Sequence, residues 1–417
     1  SSSYFLTFYV NLFLITMIDY KNIEKICRNN TALSAKVIDA FLMYYAAQQN
    51  KLEEEVNREL AKYKHITRNN LTSWVNSIRA QYIVHRVFKK DGLIKKYLQH
   101  SALKSLMPEE RTFLEQHAKT PWRFCFSIIQ SSPETDFYEM EDVFNEDTFL
   151  LFSPATTKIL KEKPVSLWFN LIAFNGHCWQ TFGPVCGYQS FEPDDIYFYA
   201  TALTPSIENE TDLIKHIEQH PVPFMMLFTG SELPGIFNGK DQYVLNQSSY
   251  DITNELILQS KEKFTIKNEG HIWQYGLKRW NEFPHFAQCY YDEQAQILLL
   301  TACTDRGFLR LLETHSSLQI PVDPFPDIRV NISMLNTVGK ILQKKIILNP
   351  YEEFFVVKNT SGVQADMDNM NKMLEMILPA INSSNEPDYE KLSRDSGVEI
   401  ETIRKLVERL RRKRQKA

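Results

Sequence analysis

The chain has 417 residues, of which 43% are hydrophobic and 24% are charged, and its formal net charge is −4. This length supports two to four domains. Because only 13 residues are glycine and no long low-complexity run occurs, the composition excludes a largely disordered chain. The small net charge alone gives no indication of a polyanionic partner.

The chain opens with an apolar leader, residues 1–18, in which Tyr4–Ile18 is nearly all hydrophobic. No basic segment or small-residue cleavage site accompanies it, so a signal peptide is not indicated. The run is shorter than the roughly 20 residues that a membrane-spanning helix needs. We expect the fold to begin near Met17 without the leader. A membrane anchor and an ordinary buried helix or strand are the alternatives.

The six cysteines are scattered and include no C-x-x-C pair. This usage predicts buried, reduced thiols in a cytoplasmic protein rather than a disulfide framework. The cysteines are Cys27, Cys125, Cys178, Cys186, Cys289 and Cys303.

Residues 19–119 have a helical pattern. Apolar residues recur at steps of three and four, as at Leu33, Val37 and Phe41. Pro108, followed by two glutamates, is a typical helix start. We therefore predict a helical N-terminal region.

Residues 120–203 are the most aromatic part of the chain. Short apolar runs alternate with turn residues, and Asn175-Gly176 is the strongest two-residue hairpin signal in the sequence. About five short strands at this spacing predict a small antiparallel β-barrel-like module. The predicted strands are Arg123–Ile129, Phe137–Phe144, Thr148–Phe152, Val165–Phe174, His177–Phe182 and Val185–Gln189.

Residues 204–384 predict a mixed α/β domain. A buried strand is expected at Pro223–Phe228 and a helix at Tyr250–Lys263. The later predicted elements are a hairpin (Gln288–Tyr291 and Gln296–Ala302), a helix (Thr304–Thr314), a strand (Arg329–Ser333) and two helices (Met334–Lys344 and Met367–Leu378).

Residues 385–417 have the spacing of a helix-turn-helix-like unit, with Gly397 in the turn and apolar Ile403 on the second helix. Glu399 and Glu401 stand where a DNA-reading helix normally meets phosphates, which disfavours sequence-specific reading. Non-specific contact with nucleic acid and a role as a helical packing or partner-docking module are both left open.

The end of this unit is strongly basic. Residues 404–417 contain eight bases and one acid, a net charge of +7. Because the whole chain has a net charge of −4, the remaining residues together carry −11. A basic end on an acidic body predicts a contact surface for nucleic acid or an acidic protein partner. The bases are Arg404, Lys405, Arg409, Arg411, Arg412, Lys413, Arg414 and Lys416.

No stretch of the sequence has a complete catalytic or metal-binding signature. Gly230–Gly235 is similar to the start of a phosphate loop, but Ile236 and Phe237 stand where a lysine and a hydroxyl residue are required. His177 and Cys178, taken with Cys186, lack a fourth zinc ligand. We predict no cofactor and no metal site.

An enzyme of unrecognised type is the alternative hypothesis. Its site would lie between the barrel and the α/β domain, around His177, Trp179, His271 and His285. His271 and His285 share a neighbourhood with Cys289 that could hold a cysteine–histidine pair, but no oxyanion-forming glycine motif accompanies them.

The order of the barrel segments resembles a module of uncharacterised bacterial proteins. The resemblance covers roughly residues 70–200 and is carried by WRFCFSII, FYEMEDVFNEDTFLLFSP and LWFNLIAFNGHCWQTFGPV. In those proteins a small barrel precedes an α/β segment and often a SEC-C zinc motif. No cysteine follows Cys303 here, so the zinc ligands of that motif are absent from this sequence. The resemblance implies no established activity and no catalytic residues.

Together these patterns predict an α+β fold: a helical N-terminal region, a small antiparallel β-barrel-like module, a mixed α/β segment and a C-terminal helix-turn-helix-like unit. The functional hypothesis is a non-catalytic interaction or regulatory protein that contacts its partner through the basic C-terminus.

Overall fold

The computed structural model describes residues 18–68, 70–231, 235–252, 262–355, 387–401, 403, 404 and 407. The chain divides into two compact units, residues 1–348 and residues 349–417. The fold is α+β, with a helical N-terminal region and a closed five-stranded barrel, as the sequence predicts. Among the described helices, none is long and apolar enough to cross a bilayer. The leader predicted for residues 1–18 lies outside the described residues except for Ile18.

The N-terminal region begins with a continuous helical run from residue 20 to residue 49. Its middle is π-helical, over Ser34–Leu42. Pro108 occupies the first turn of the last helix, whose Glu110 carboxylate accepts a hydrogen bond from the Met107 backbone N–H at 2.9 Å. The α-helices are α1 (Tyr20–Leu33), α2 (Met43–Gln49), α3 (Leu52–Ala61), α4 (Lys64–Thr67), α5 (Thr72–Phe88), α6 (Ile94–Leu98) and α7 (Pro108–Lys119), with a 3₁₀ turn at Ser101–Ser105.

The barrel consists of β1 (Arg123–Glu134), β2 (Phe137–Asp142), β3 (Thr148–Phe152), β4 (Leu167–Phe174) and β5 (Trp179–Tyr188), with α8 (Pro154–Glu162) between β3 and β4. The closed strand order is β1-β2-β3-β5-β4. Four of its pairs are antiparallel, but β3 and β5 are parallel. The expectation of a wholly antiparallel barrel is wrong at this pair, because α8 crosses between β3 and β4 before β5 returns beside β3. This order, with a helix after the third strand, is the topology of an OB-fold.

The barrel has two different outer sides. Phe124, Phe126 and Phe169 on β1 and β4 are buried in a large core. This core also contains residues of α5, α9 (Pro193–Leu203) and α11 (Pro221–Gly230). On β2 and β3, by contrast, the outward positions alternate with residues that fill the barrel, such as Tyr138 and Met140. The large core runs across the predicted boundaries at residues 119/120 and 203/204, since its members extend from Val37 to Ile341.

A second sheet has six strands: β8 (Val244–Asp251), β9 (Phe264–Glu269), β10 (Ile272–Leu277), β11 (Gln288–Asp292), β12 (Ile297–Ala302) and β13 (Ile328–Asn331). They are all antiparallel, in the order β13-β8-β12-β11-β10-β9. Phe308 and Leu311 of α12 (Asp305–Ser317) pack on one face, as the apolar stripe predicts. The short strands β6 (Phe237–Asn238) and β7 (Asp241–Gln242) form a separate hairpin. The helices of this part are α9 (Pro193–Leu203), α10 (Glu210–Gln219), α11 (Pro221–Gly230), α12 (Asp305–Ser317) and α13 (Ile332–Leu342).

One prediction in this part is wrong, and a second lies largely outside the described residues. Pro223–Phe228 is helical, within α11, because Pro221 starts a helix that is buried on nearly all sides. A continuous apolar run does not distinguish such a helix from a buried strand. Of the helix expected at Tyr250–Lys263, residues 253–261 lie outside the described residues, and Tyr250 belongs to strand β8, where it pairs with Leu298. The hairpin around residue 294 and the helix capped by Thr304 are confirmed.

The unit of residues 349–417 contains α14 (Glu352–Phe355) and α15 (Tyr389–Ser396). The Asp388 side chain caps α15 by accepting from the Lys391 backbone N–H at 3.0 Å. Gly397 ends the helix with a φ of 72°, a left-handed conformation that glycine adopts without strain. The helix predicted at Met367–Leu378 lies outside the described residues.

Candidate functional site

The end of the barrel at the β4–β5 turn holds a group of buried polar side chains. The turn begins at Asn175 and Gly176, the residues that predict a hairpin, and Gly176 has a φ of 97°. Asn175 closes the turn by donating its backbone N–H to the Cys178 carbonyl oxygen at 3.0 Å. This geometry places Cys178 directly before β5, facing α1.

Cys178 meets Cys27 of α1. The two Sγ atoms lie 3.3 Å apart, and the residues are 1% and 0% exposed. They belong to a small apolar cluster with Phe137 and Phe152, which point outward from β2 and β3. Two thiols 151 residues apart in the sequence are therefore in direct contact where α1 crosses the barrel.

Asn175 orients this pair. Its Oδ1 accepts hydrogen bonds from the backbone N–H groups of His177 and Cys178, both at 2.9 Å. The amide nitrogen must then face the other way, and Nδ2 donates to Cys27 Sγ at 3.2 Å and to Gln180 Oε1 at 2.8 Å. A neutral donor directed at a buried sulfur stabilises the thiolate form of that sulfur.

The two thiols differ in acidity. The hydrogen bond from Cys178 is the main reason that the pKa of Cys27 lies below its ordinary value, and the Asn175 amide adds to the effect against burial. The pKa of Cys178 is raised because its proton is held by Cys27 and because it is buried. For comparison, burial raises the pKa of Cys186 to about 12. The geometry favours Cys27 as the thiolate, because Asn175 Nδ2 lies 3.2 Å from Cys27 Sγ and 3.7 Å from Cys178 Sγ.

Gln180 links the turn to α1. Its Nε2 donates to the Cys27 carbonyl oxygen at 3.1 Å, and its Oε1 accepts from Asn30 Nδ2 at 3.0 Å. An open cavity of about 380 Å³ lies on the other side of Gln180. It is lined by Arg28, Thr31, Phe152, Pro154, Ala155, Gln180 and Thr181. Gln180 therefore both lines the cavity and hydrogen-bonds to the backbone of Cys27.

The outer face of β2 and β3 lies beside this cluster. Tyr20 and Ile23 of α1 cover its Phe137 end, where the Tyr20 and Phe137 ring centroids are 5.1 Å apart. The other outward positions of β2 carry the acidic Glu139 and Glu141, opposite Leu150 and Thr148 of β3. In OB-folds this face is a common binding surface for oligonucleotides. Here it is partly covered and negatively charged, which opposes a phosphate backbone.

The four residues of the enzyme hypothesis do not come together. His271 and His285 lie at opposite ends of β10. Because this strand is six residues long, the two histidines are about 20 Å apart. His285 Nδ1 is 2.7 Å from Thr304 Oγ1, whereas His271 Nε2 is 3.9 Å from Asp292 Oδ1. His177 is exposed in the barrel turn.

Trp179, the fourth residue of that hypothesis, is half-buried at the start of β5. The Arg123 guanidinium lies over its ring at 5.4 Å from the centroid. The contact belongs to the barrel itself and involves none of the three histidines. A single site formed by all four residues therefore has no support in the structure.

The other partial motifs do not assemble either. Gly230 ends helix α11, so Gly230–Gly235 lacks the preceding strand of a phosphate loop. Cys178 and Cys186 lie in different hydrophobic clusters. Within the described part of the chain, no three histidine, cysteine or carboxylate side chains are placed to hold a metal ion.

Most of the basic C-terminal residues lie outside the described residues. Arg404 lies within the described part of the chain. Its side chain is exposed, and its guanidinium lies 5.4 Å from the centre of the Tyr389 ring. Ile403 and Val407 are fully buried, together with Leu392 of α15 at 6% exposure. The helix-turn-helix-like unit stays a prediction, because most of its second helix lies outside the described residues.

Sequence reasoning missed the Cys27–Cys178 pair. Nothing in the local pattern around Cys27 distinguishes it from any buried cysteine on a helix. The only available signal was the Asn175-Gly176 turn, which places His177, Cys178 and Trp179 at one end of the barrel.

No family model, curated protein or solved structure matches the chain. The OB-fold assignment therefore rests on strand order and on the position of α8. The resemblance to the SEC-C-associated bacterial module stays a prediction.

Proposed function

We propose that the protein is a non-catalytic interaction protein that binds the phosphate backbone of nucleic acid through its basic C-terminus. The observation that carries the proposal is the net charge of +7 on residues 404–417, against −11 on the rest of the chain. Five of the eight bases are arginine, whose planar guanidinium suits phosphate groups.

The surroundings of Arg404 support this proposal. Ile403 and Val407 are buried, whereas Arg404 between them is exposed. The first basic residue of the segment therefore faces solvent. The outer face of β2 and β3 is a poorer candidate for the same ligand, because Glu139 and Glu141 lie on it and α1 covers one end.

The test replaces Arg411, Arg412, Lys413 and Arg414 with glutamine in the full-length chain. Fluorescence anisotropy with labelled duplex DNA, single-stranded DNA and RNA measures affinity at several salt concentrations. If all four side chains meet phosphates, the slope of log K against log salt falls by about 3 to 4 and the affinity at low salt falls by at least about tenfold.

A matched control removes the same charge elsewhere. Glutamine replaces four exposed lysines of the helical region: Lys90, Lys95, Lys96 and Lys104. We expect this variant to keep the wild-type slope. Equal loss in both variants, or no binding by the wild-type protein, would overturn the proposal. Binding of an acidic protein with no binding of nucleic acid would also overturn it.

A further inference from the structure

The contact between α1 and the barrel contains a pair of buried cysteines that has no role in the proposed binding of nucleic acid. We propose that Cys27 and Cys178 form a reversible disulfide that fastens α1 across the outer face of the barrel. The proposal goes beyond the proposed function and concerns the unit of residues 1–348 alone.

The distance between the sulfur atoms favours this bond. The Sγ atoms are 3.3 Å apart, and a disulfide requires about 2.05 Å, so the sulfurs must approach by about 1.3 Å. Three of the other cysteines, Cys125, Cys186 and Cys289, lie in hydrophobic clusters that do not include this pair.

The polar environment prepares Cys27 as the nucleophile. Its sulfur accepts from Asn175 Nδ2, and the Asn175 side chain is fixed in that orientation by two backbone N–H groups. The lowered pKa of Cys27 agrees with this geometry. Cys125 provides the contrast: it donates to Asp142 Oδ2 at 3.3 Å, a contact that favours the protonated thiol.

A hydroperoxide supplies the oxidising equivalents. The Cys27 thiolate attacks one peroxide oxygen, the O–O bond breaks, and an alcohol or water leaves while Cys27 becomes a sulfenic acid. The Cys178 sulfur then attacks Cys27 Sγ, the S–S bond forms, and the S–O bond breaks with release of water. In total the two thiols lose two electrons and two protons, and the peroxide is reduced. A dithiol reverses the reaction by exchange.

The oxidant reaches the pair from the cavity of about 380 Å³. Arg28, which lines the cavity, follows Cys27 in the sequence, and Gln180, also in its wall, hydrogen-bonds to the Cys27 carbonyl oxygen. Hydrogen peroxide is little larger than water. An outward movement of the Gln180 side chain opens the path from the cavity to Cys27.

The bond would control the position of α1. Tyr20 and Ile23 of this helix cover the Phe137 end of the β2–β3 face. In the dithiol form only packing and hydrogen bonds hold α1 there, as between Gln180 and Asn30. In the disulfide form the helix is tied covalently to the β4–β5 turn. Oxidation therefore keeps that end of the face covered.

The experiment treats the folded full-length protein with hydrogen peroxide, then blocks the remaining thiols by alkylation in denaturant. We expect four alkylated cysteines instead of six. Mass spectrometry of a non-reducing digest should show the Cys27 peptide linked to the Cys178 peptide, with about 2 Da lost through two hydrogens. Dithiothreitol should restore six thiols. Amide hydrogen exchange over Tyr20–Leu33 should slow severalfold in the oxidised protein.

The control variant is Cys186→Ser, which removes a buried thiol from another cluster and should leave the linked peptide unchanged. Cys27→Ser and Cys178→Ser should each abolish it. If these variants fold poorly, the wild-type digest alone decides. Six alkylated cysteines after oxidation, over-oxidation of Cys27 without a link, or a link between other cysteines would each overturn the proposal.

Discussion

At the scale of single residues, several buried histidines hold structural positions. His117 is the clearest: its Nδ1 accepts a hydrogen bond from Trp122 Nε1 at 3.0 Å, and the side chain is 1% exposed. Nδ1 must therefore be unprotonated, and the ring is neutral. Burial lowers the pKa of His117 from 6.5 to about 4. The same direction holds for His85 and His315, for the same reason.

This burial makes stability depend on pH. Below pH 6.5 the unfolded chain binds a proton at His117 that the folded protein does not bind until about pH 4. The free energy of unfolding therefore falls as the pH decreases from 6.5 towards 4. At about pH 5 the loss caused by His117 amounts to about 2 kcal/mol. Urea unfolding at pH 7 and at about pH 5 should show a smaller loss in His117→Gln than in the wild type. The control variant His177→Gln, at an exposed position, should lose as much stability between these two pH values as the wild type. If the wild type and both variants lose the same amount, His117 is not the source of the pH dependence.

At the scale of elements, local turn chemistry proved the most reliable signal in the sequence. The Asn175-Gly176 dipeptide predicts the β4–β5 hairpin, and the structure confirms it. The predicted strands His177–Phe182 and Val185–Gln189 are one strand, β5, in which Gly183 has a φ of 74°. The turn glycine was identifiable because its conformation is a local property. The continuity of β5 was not, because a glycine-proline step usually interrupts a strand.

The conformation of Gly176 gives a direct test of this turn. An alanine at a φ of 97° is strained, although the nearest side-chain atom, from Gln116, is 3.8 Å from the new Cβ. We expect Gly176→Ala to lower the free energy of unfolding by about 1 kcal/mol through backbone strain alone. Urea denaturation measures the change. His177→Ala, at the next and exposed position, should change the free energy of unfolding by less than about 0.5 kcal/mol. A larger change in this variant would show that the His177 side chain, and not the backbone conformation of Gly176, stabilises the turn.

At the scale of the whole molecule, the barrel is not an independent domain in its packing. Its outer side at Phe124, Phe126 and Phe169 belongs to a core shared with the N-terminal helices and with α9 and α11. The sequence suggests a self-contained module because its strands are contiguous in the chain. Which outer face of a barrel is covered depends on helices distant in sequence, so local patterns cannot reveal it.

This shared core predicts how fragments behave. A fragment of residues 120–203 exposes the aromatic side chains of β1 and β4, and we expect it to aggregate or to lack a cooperative unfolding transition. A fragment of residues 18–348 keeps the core and should unfold cooperatively. Circular dichroism during thermal unfolding, with size-exclusion chromatography, distinguishes the two. A monomeric, cooperatively folded fragment of residues 120–203 would show that the barrel is self-sufficient.

The sequence by itself determined the α+β class, the helical N-terminal region, the hairpin at Asn175-Gly176, the cap at Thr304 and the basic C-terminal charge. These properties depend on neighbours within a few residues, or on composition alone. Only the tertiary structure decided that α11 is a helix, that β3 and β5 run parallel, and that Cys27 meets Cys178. Those outcomes depend on which surfaces bury each other, and a contact between residues 151 positions apart leaves no periodicity in the chain.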